Sequence, residues 1–141
     1  MDLDAHYQAF YDTIKAGLVA DDLGSTPILA VHSQDSQVAE DIVEPPYVVY
    51  TEETARQLGT YGSGPAKVIM TGWRITVRTR DLDDLLAICT AIHDKFELED
   101  VADTTDGYVT TAIESIGAQT LWEVDSKLQA RHMRFNWERS K

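Results

Sequence analysis

Apolar residues change their spacing from two to three or four within the segment Val68–Phe96. Trp73, Ile75 and Val77 alternate with arginine and threonine, a pattern typical of a strand with one face on a core and the other exposed to solvent. After Asp81 the apolar positions follow the spacing of one face of an amphipathic helix. These positions are Leu82, Leu85, Leu86, Cys89, Ile92, His93 and Phe96. The segment therefore predicts a strand that leads directly into a helix, with both packed on one core.

Acidic residues mark the start of this helix. Asp81 fits the N-cap position, where its carboxylate can accept a hydrogen bond from a first-turn amide. Asp83 and Asp84 place negative charge where the helix dipole favours it. The helix is therefore predicted to begin directly after Asp81.

A second helix is predicted in the first twenty-odd residues, with Gly24 as its C-terminal cap. Its apolar residues recur at spacings of three and four: Leu3, Tyr7, Phe10, Ile14 and Leu18. Ile28–Val31 is a short apolar run that predicts a buried or edge strand. Pro45–Pro46 then favours an extended entry into Tyr47–Tyr50, which predicts a strand by its valines and tyrosines.

The last third of the chain alternates like β-structure. Tyr108–Ile116 and Leu121–Val124 are either two strands or one long strand bulged at Gly117. Leu128–Trp137 predicts a final strand with two different faces. Met133, Phe135 and Trp137 share one face, and His132, Arg134 and Asn136 share the other. The order predicts a single α+β domain over residues 1–141, with an N-terminal and a central helix packed on one side of a mainly antiparallel sheet.

Three stretches between these elements are predicted as surface loops. Residues 32–46 are polar and acidic, and residues 97–107 are acidic without the ligand spacing of an EF-hand. Residues 54–67 are rich in glycine and lack the Gly-Lys-Ser/Thr ending of a phosphate-binding loop. A loop of this kind is free to order against a partner. The candidate docking residues in it are Gly59, Tyr61, Gly62 and Gly64.

The net charge of −12, with a pI near 4.5, argues against wrapping nucleic acid or lying on an anionic membrane. No apolar run approaches the ~20 residues of a membrane span, and no secretory signal is visible. Fifteen aspartates against five lysines also suit a high-salt environment. The acidity therefore has two open explanations, a functional one and a halophilic one.

The charge is distributed unevenly along the chain. Residues 81–106 carry one basic and nine acidic side chains, a net of −8, whereas residues 126–141 carry five basic and one acidic, a net of +4. One interpretation is that both segments are solvated surfaces. The other is that the basic segment meets an acidic patch on a neighbouring subunit.

Catalytic chemistry is not indicated, so neither an enzyme nor a cofactor is expected. The histidines (His6, His32, His93 and His132) lack the spacing of paired metal ligands. Cys89 lies on the predicted apolar helix face and is interpreted as a buried hydrophobe, so no metal site is expected. A small-molecule-binding regulatory domain and a hydrolase or nucleotide enzyme remain alternatives from other functional classes.

Arginines are the most suggestive polar residues. Arg74, Arg78 and Arg80 recur along one face of the predicted central strand, and a second group lies near the end of the chain. The members of that second group are Arg131, Arg134 and Arg139. A surface toward acidic protein explains them better than a phosphate site in so acidic a chain.

The whole pattern resembles the tail-terminator, or tail-completion, proteins of long-tailed phages and related archaeal viruses. The resemblance spans about the whole chain and rests on an N-terminal helix and on three stretches of sequence. These are PPYVVY at 45–50, WRITVRTRDLDDLLAICTAIHDKF at 73–96 and the arginine-containing QARHMRFNWER at 129–139. It implies an α+β subunit of a homo-oligomeric ring, usually of six copies, that stops polymerisation of the tail tube and joins the tail to the neck.

The implied location is the tail or neck of a virion that is assembled in a host cytoplasm. The implied partners are the tail tube protein and a neck or head-completion protein, without a membrane, and DNA passes through the lumen without specific binding. A head-closure or neck component is the alternative within this class. A ring subunit needs two unlike surfaces that meet head to tail. The candidates for them are Arg74, Arg78, Arg80, Asp81, Asp83, Asp84, Arg131 and Arg134.

Overall fold

A computed structural model describes residues 2–30, 44–58, 68–97, 101, 103–125 and 127–141 of the 141-residue chain. The two helices are α1 (Leu3–Ala20) and α2 (Leu82–Glu97). The five strands are β1 (Ile28–Ala30), β2 (Tyr47–Leu58), β3 (Val68–Thr79), β4 (Val109–Glu123) and β5 (Leu128–Ser140). This composition confirms the predicted α+β class.

The strands form one sheet in the order β1-β2-β3-β5-β4. Only β1 runs parallel to its neighbour, and the pairs β2–β3, β3–β5 and β4–β5 are antiparallel. The prediction of a mainly antiparallel sheet is therefore confirmed. Strand β3 lies at the centre, and β1 and β4 form the two edges.

Both helices pack on one face of the sheet, where the core is aromatic. Phe10 of α1 stacks on Trp73 of β3 with ring centroids 4.3 Å apart and an interplanar angle of 13°. Phe96 of α2 stacks on Phe135 of β5 at 4.7 Å. Stacked pairs of this kind add to the free energy gained by burying the rings. The prediction that both helices lie on one side of the sheet is thus confirmed.

The predicted strand-helix unit is present as β3 and α2. Asp81 caps the helix, since its Oδ1 accepts a hydrogen bond from the Asp84 amide at 2.8 Å. The predicted apolar face is too wide, because Leu82 and Leu86 remain 46% and 48% exposed. Four residues of the predicted face are buried: Leu85, Cys89, Ile92 and Phe96. The buried face also includes Ile88 and Ala91, which the prediction left out.

Helix α1 ends earlier than predicted. Its last residue is Ala20, and Asp22 rather than Gly24 adopts the left-handed conformation, with φ 58°. The Leu23 amide donates to Leu18 O, and the Asp22 amide donates to Val19 O. These two bonds form a Schellman motif, which satisfies the last carbonyls of the helix. The prediction that Gly24 caps the helix is therefore wrong, because aspartate also tolerates the left-handed region at this position.

Strand β2 is longer than predicted, because its second half lies in the stretch whose composition predicts a loop. Residues 54–58 pair with β3, from Thr54 opposite Gly72 to Leu58 opposite Val68, after a bulge between Glu52 and Thr54. Pairing with a central strand therefore overrides the weak β-propensity of this stretch. At the sheet's edge, β1 covers Ile28–Ala30. The last residue of the predicted strand, Val31, lies outside the described residues.

The alternation at 108–124 forms one strand, β4, with irregular pairing near Gly117. Gly117 has φ 153°, which a glycine adopts without strain. This confirms the alternative of a single strand bulged at the glycine. The final strand β5 has the predicted faces and continues to Ser140, three residues beyond the predicted end.

Two further points concern membrane spans and the predicted loops. Within the described residues, no helix is long and apolar enough to cross a membrane. Residues 32–43 of the first predicted loop lie outside the described residues, and so do the candidate docking residues Gly59, Tyr61, Gly62 and Gly64.

Candidate functional site

The face of the sheet opposite the helices, called here the helix-free face, carries a row of basic side chains. Trp73, Ile75 and Val77 point into the core, so the alternation places Arg74 on the other side. Arg74 lies directly opposite Arg134 of β5 in the strand register. Two guanidinium groups therefore stand side by side at the centre of this face.

One carboxylate bridges the two arginines. Glu53 Oε1 lies 3.3 Å from Nε of Arg134 and 3.9 Å from Nε of Arg74. All three side chains are partly exposed, so each ion pair contributes about 1 kcal/mol or less. The cluster keeps an excess of positive charge in a chain whose net charge is −12.

A groove of about 580 Å³ opens beside these arginines, between β3, β5 and the bulged part of β4. It is called the basic groove below. Its polar lining is Arg74, Arg134, His132 and Gln119, and its apolar lining is Ile116, Gly117, Ala118 and Leu121. A groove with two guanidinium groups and an apolar floor suits an acidic protein segment.

His132 lies in the groove without adding charge. Its Nδ1 shares a hydrogen bond of 2.7 Å with Thr76 Oγ1. Burial lowers the pKa of His132, and the positive charges of Arg78 and Arg74 lower it further. The groove therefore owes its positive charge to the arginines at neutral pH.

Arg78 does not share the exposure predicted for its strand face. It is 5% exposed, and its Nε and Nη2 donate to Glu123 Oε1 and Oε2 at 2.8 and 3.4 Å. Thr76 on the same face is buried too. The expectation of a fully exposed polar face is therefore wrong, because β3 is the middle strand and its neighbours cover it. The charge of Arg78 is balanced inside the chain.

The acidic residues at the start of α2 form a separate exposed cluster. Asp81, Asp83 and Asp84, together called the acidic turn, follow β3 directly. Hydrogen bonding with Asp81 and the negative charge of Asp81 raise the pKa of Asp84. No described cation forms an ion pair with these three residues. The neighbouring Arg80 is exposed and pairs with Glu44 at 2.7 Å.

The structure separates the two arginines that were grouped on β5. Arg131 is three residues before Arg134, an odd spacing, so their side chains lie on opposite faces of the sheet. Arg131 Nη1 donates to Thr120 Oγ1 at 2.6 Å on the helix side. There it lines a second groove of about 310 Å³ together with Leu86 and His93 of α2. The sequence-based grouping of the C-terminal arginines as one surface is therefore wrong.

Arg139, the third arginine of that group, is fully buried. Its Nη1 bonds to His6 Nδ1, and its Nη2 donates to Thr71 Oγ1 at 2.9 Å. Its guanidinium lies 3.8 Å above the ring of Trp137. Burial lowers the pKa of Arg139 to about 10, which leaves it charged at neutral pH.

His6 continues this network to a carboxylate. Because a guanidinium can only donate, His6 accepts at Nδ1 and carries its proton on Nε2, 3.1 Å from Asp106 Oδ2. Burial would raise the pKa of Asp106, but hydrogen bonds from Thr104 and the Asp2 amide, together with His6, lower it. Sequence reasoning missed this site, since its members lie up to 133 residues apart. Because the site is buried, its role is to stabilise the fold rather than to bind a partner.

Another cluster of potential ligands lies on the exposed side of α2. One ligand atom from each of His93, Asp94 and Glu97 lies within 4.8 Å of the others. Glu97 lies four residues after His93 and three after Asp94, the two spacings at which helix side chains meet, so helix geometry explains the cluster without an ion. Cys89, one turn before His93, is buried as predicted, and burial raises the pKa of its thiol to about 12.

The fold is found in other proteins, although the sequence has no close match. The chain matches no protein-family model and no curated protein. Among solved structures, it is similar to a chain of the virion of a native gene transfer agent (GTA) particle. The TM-score is 0.62 at 13% identity, and the match covers 94% of this chain and 92% of the other. The likeness at this identity shows that the two chains share a fold over nearly their whole lengths.

Proposed function

We propose that this protein is a structural component of a virion and acts as a tail terminator, forming a ring that caps the tail tube and joins it to the neck. The observation that carries the proposal is the fold shared with a chain of a GTA virion over 94% of this chain. The resemblance of the element order and hydrophobic pattern to tail terminators supports the assignment to the tail. A neck component is the alternative within the virion, because the same fold and ring geometry would serve there.

The charges of the described surface suit head-to-tail assembly. The basic groove lies on the helix-free face, whereas the acidic turn begins α2, which packs on the opposite face. The two surfaces are therefore separate from each other on one subunit. Each can be neutralised by its counterpart on a neighbouring copy, and unlike surfaces of this kind close a ring.

The proposed ring, of six copies, has the tail tube protein on one side and a neck or head-completion protein on the other. DNA passes through its lumen during packaging and release. The net charge of −12 supports passage without specific binding, since phosphates are repelled by an acidic wall.

Charge reversal tests the proposed contact. Arg74→Glu/Arg134→Glu should leave the subunit folded and lower its association in low salt, because two acidic surfaces would then meet. Asp83→Lys/Asp84→Lys should weaken association by the same logic. Combining all four substitutions should restore assembly, since the complementary pair is rebuilt with its signs exchanged.

The readout is the sedimentation profile of each variant at equal concentration, with thermal unfolding to verify the fold. Lys127→Glu/Lys141→Glu is the matched control, because it changes the net charge equally with two exposed residues outside the groove. The proposed contact is wrong if reversal at Arg74 and Arg134 has no more effect than this control, or if the fourfold variant fails to recover.

A further inference from the structure

Strand β4 is a free edge of the sheet. It runs for 15 residues, from Val109 to Glu123, and pairs with β5 along one side only. Among the described strands none pairs with its other side. A free strand edge is a template for pairing with another chain, so proteins that stay monomeric shorten it, bulge it or place lysine or proline on it. The bulges of β4 lie between Thr110 and Ala112 and between Ser115 and Gly117, and from Gly117 to Glu123 the strand pairs with β5 without interruption. The opposite edge of this sheet is indeed short, since β1 has three residues.

The composition of β4 lacks the usual protection. It has no lysine, arginine, aspartate or proline, and its two charged residues are Glu114 and Glu123. Glu123 is already paired with Arg78. At the 26% charged residues of the whole chain, a strand of this length would carry about four. Residues 115–122 thus form an eight-residue run without any charge on the edge of a strongly acidic protein.

Large apolar side chains along β4 are exposed as well. The exposed fractions of Val109, Ile116 and Trp122 are 46%, 50% and 48%, and Val124 directly after the strand is 73% exposed. A long edge strand with an eight-residue uncharged run and exposed apolar side chains is the kind of strand that a partner covers.

The chain contains a second free edge of matching length. Strand β1 pairs with β2 only from Val48 to Tyr50, so residues Thr51–Leu58 extend eight residues beyond it with no described strand on that side. Following the antiparallel pairs from β2 through β3 and β5 to β4 shows that β2 and β4 run in opposite directions. A copy placed beside β4 in the same orientation would therefore present its β2 antiparallel to β4, the more stable pairing.

We propose that residues 115–122 of β4 pair with residues 51–58 of β2 of a second copy, so that one sheet continues from subunit to subunit around the ring. This inference rests on the proposed ring function and specifies the main-chain contact between neighbouring subunits. Main-chain hydrogen bonds between the two strand edges hold the subunits together. The two edges are unlike, as closure of a ring requires.

The test combines hydrogen exchange with edge substitution in the full-length protein. In the assembled wild type, amides of both 115–122 and 51–58 should exchange more slowly than in the same protein diluted to monomer. Ile116→Lys/Trp122→Lys should shift the mass to that of a monomer at concentrations where the wild type assembles. The control Leu3→Lys/Val19→Lys replaces two equally exposed apolar residues of α1 and should assemble normally.

The outcomes separate this inference from the proposed function. A wild-type oligomer that survives the β4 substitutions, or in which 115–122 exchanges as fast as in the monomer, overturns the strand pairing and leaves the ring intact. Protection of 115–122 without 51–58 in a two-copy species also overturns it, in favour of β4 pairing with itself. A wild type that stays monomeric at every concentration overturns both.

Discussion

Arg139 near the end of the chain donates a buried hydrogen bond from its guanidinium to Nδ1 of His6 in the first helix, 133 residues away. His6 in turn bonds to Asp106 in the segment before β4. The contact thus joins the last strand, the first helix and a connecting segment at one point. A buried charge in such a position is stabilised by its partners, so removing either side of the contact destabilises the fold.

Removing Arg139 should therefore be costly. Arg139→Ala leaves His6 Nδ1 without its buried donor and Thr71 Oγ1 with Trp73 Nε1 as a donor in place of two. It also removes the guanidinium from the Trp137 ring. We expect a loss of about 3 kcal/mol in the free energy of unfolding, measured by urea denaturation. Arg131→Ala on the same strand is the control and should cost about 1 kcal/mol or less, as a partly exposed side chain. Equal effects of the two substitutions would contradict the assigned network.

His132 should make stability depend on pH. Its pKa is lowered by burial and by Arg78 and Arg74, so the folded state resists a proton that the unfolded chain accepts near pH 6.5. The contribution of the neutral ring is therefore fully present above the unfolded pKa and is lost as the pH falls below it. Burial, followed by the charge of Arg139, lowers the pKa of His6 in the same direction.

The comparison with His132→Gln isolates this effect from the general titration of an acidic protein. As the pH is lowered from about 7.5 to about 5.5, the unfolding midpoint of His132→Gln should rise relative to that of the wild type. The glutamine keeps a polar partner for Thr76 and has no proton to gain. A difference between the two midpoints that stays constant with pH would contradict the assignment.

Gly17 lets the two helices approach each other closely. A Cβ built on it lies 3.0 Å from Ala91 O and 3.1 Å from Lys95 Cβ, both in α2. Gly17→Ala gains about 1 kcal/mol of helix propensity, yet it must push α2 away from α1. We expect net destabilisation in thermal unfolding, because the carbonyl in the middle of α2 has no room to yield.

The exposed neighbour Ala16 gives the matched propensity control for Gly17. Ala16→Gly should destabilise the helix by about 1 kcal/mol through propensity alone. Should Gly17→Ala instead stabilise the protein by a similar amount, the close approach of the helices would not matter energetically.

Cys89 should be chemically silent in the folded protein. Its thiol is buried, and burial raises its pKa to about 12, so the reactive thiolate is scarce at pH 8. We expect a thiol reagent such as DTNB to label it only as fast as the protein opens, with complete labelling in urea. Rapid, stoichiometric labelling of the native protein would show that α2 does not pack as described.

Local signals explain which parts of the fold were predictable. The change of period after Asp81 predicts β3 and α2 from neighbouring residues alone. The predicted strand at Tyr47–Tyr50 is shorter than β2. Residues 54–58 become part of the strand through pairing with β3, which their composition does not reveal. The left-handed residue at the end of α1 is Asp22, whereas the sequence predicted Gly24. Its position is set by the backbone hydrogen bonds to Leu18 and Val19, which local composition does not reveal.

The candidate site was only partly predictable for a related reason. The odd spacing of Arg131 and Arg134 already implies opposite faces, although charge counting grouped them together. The burial of Arg139 could not be predicted, because its partners His6 and Thr71 come from distant segments. The register that sets Arg74 beside Arg134 likewise follows from the pairing of β3 with β5.

The central claim is that copies of this chain assemble into a ring. The most direct measurement is the mass of the purified wild type by light scattering coupled to size exclusion, at about 0.05 M and about 0.5 M salt, with negative-stain images of the same fractions. The account predicts a species of six times the 15.8-kDa chain mass at low salt, seen as a ring with a central channel. A particle of one chain mass at both salt concentrations and at every protein concentration would contradict it.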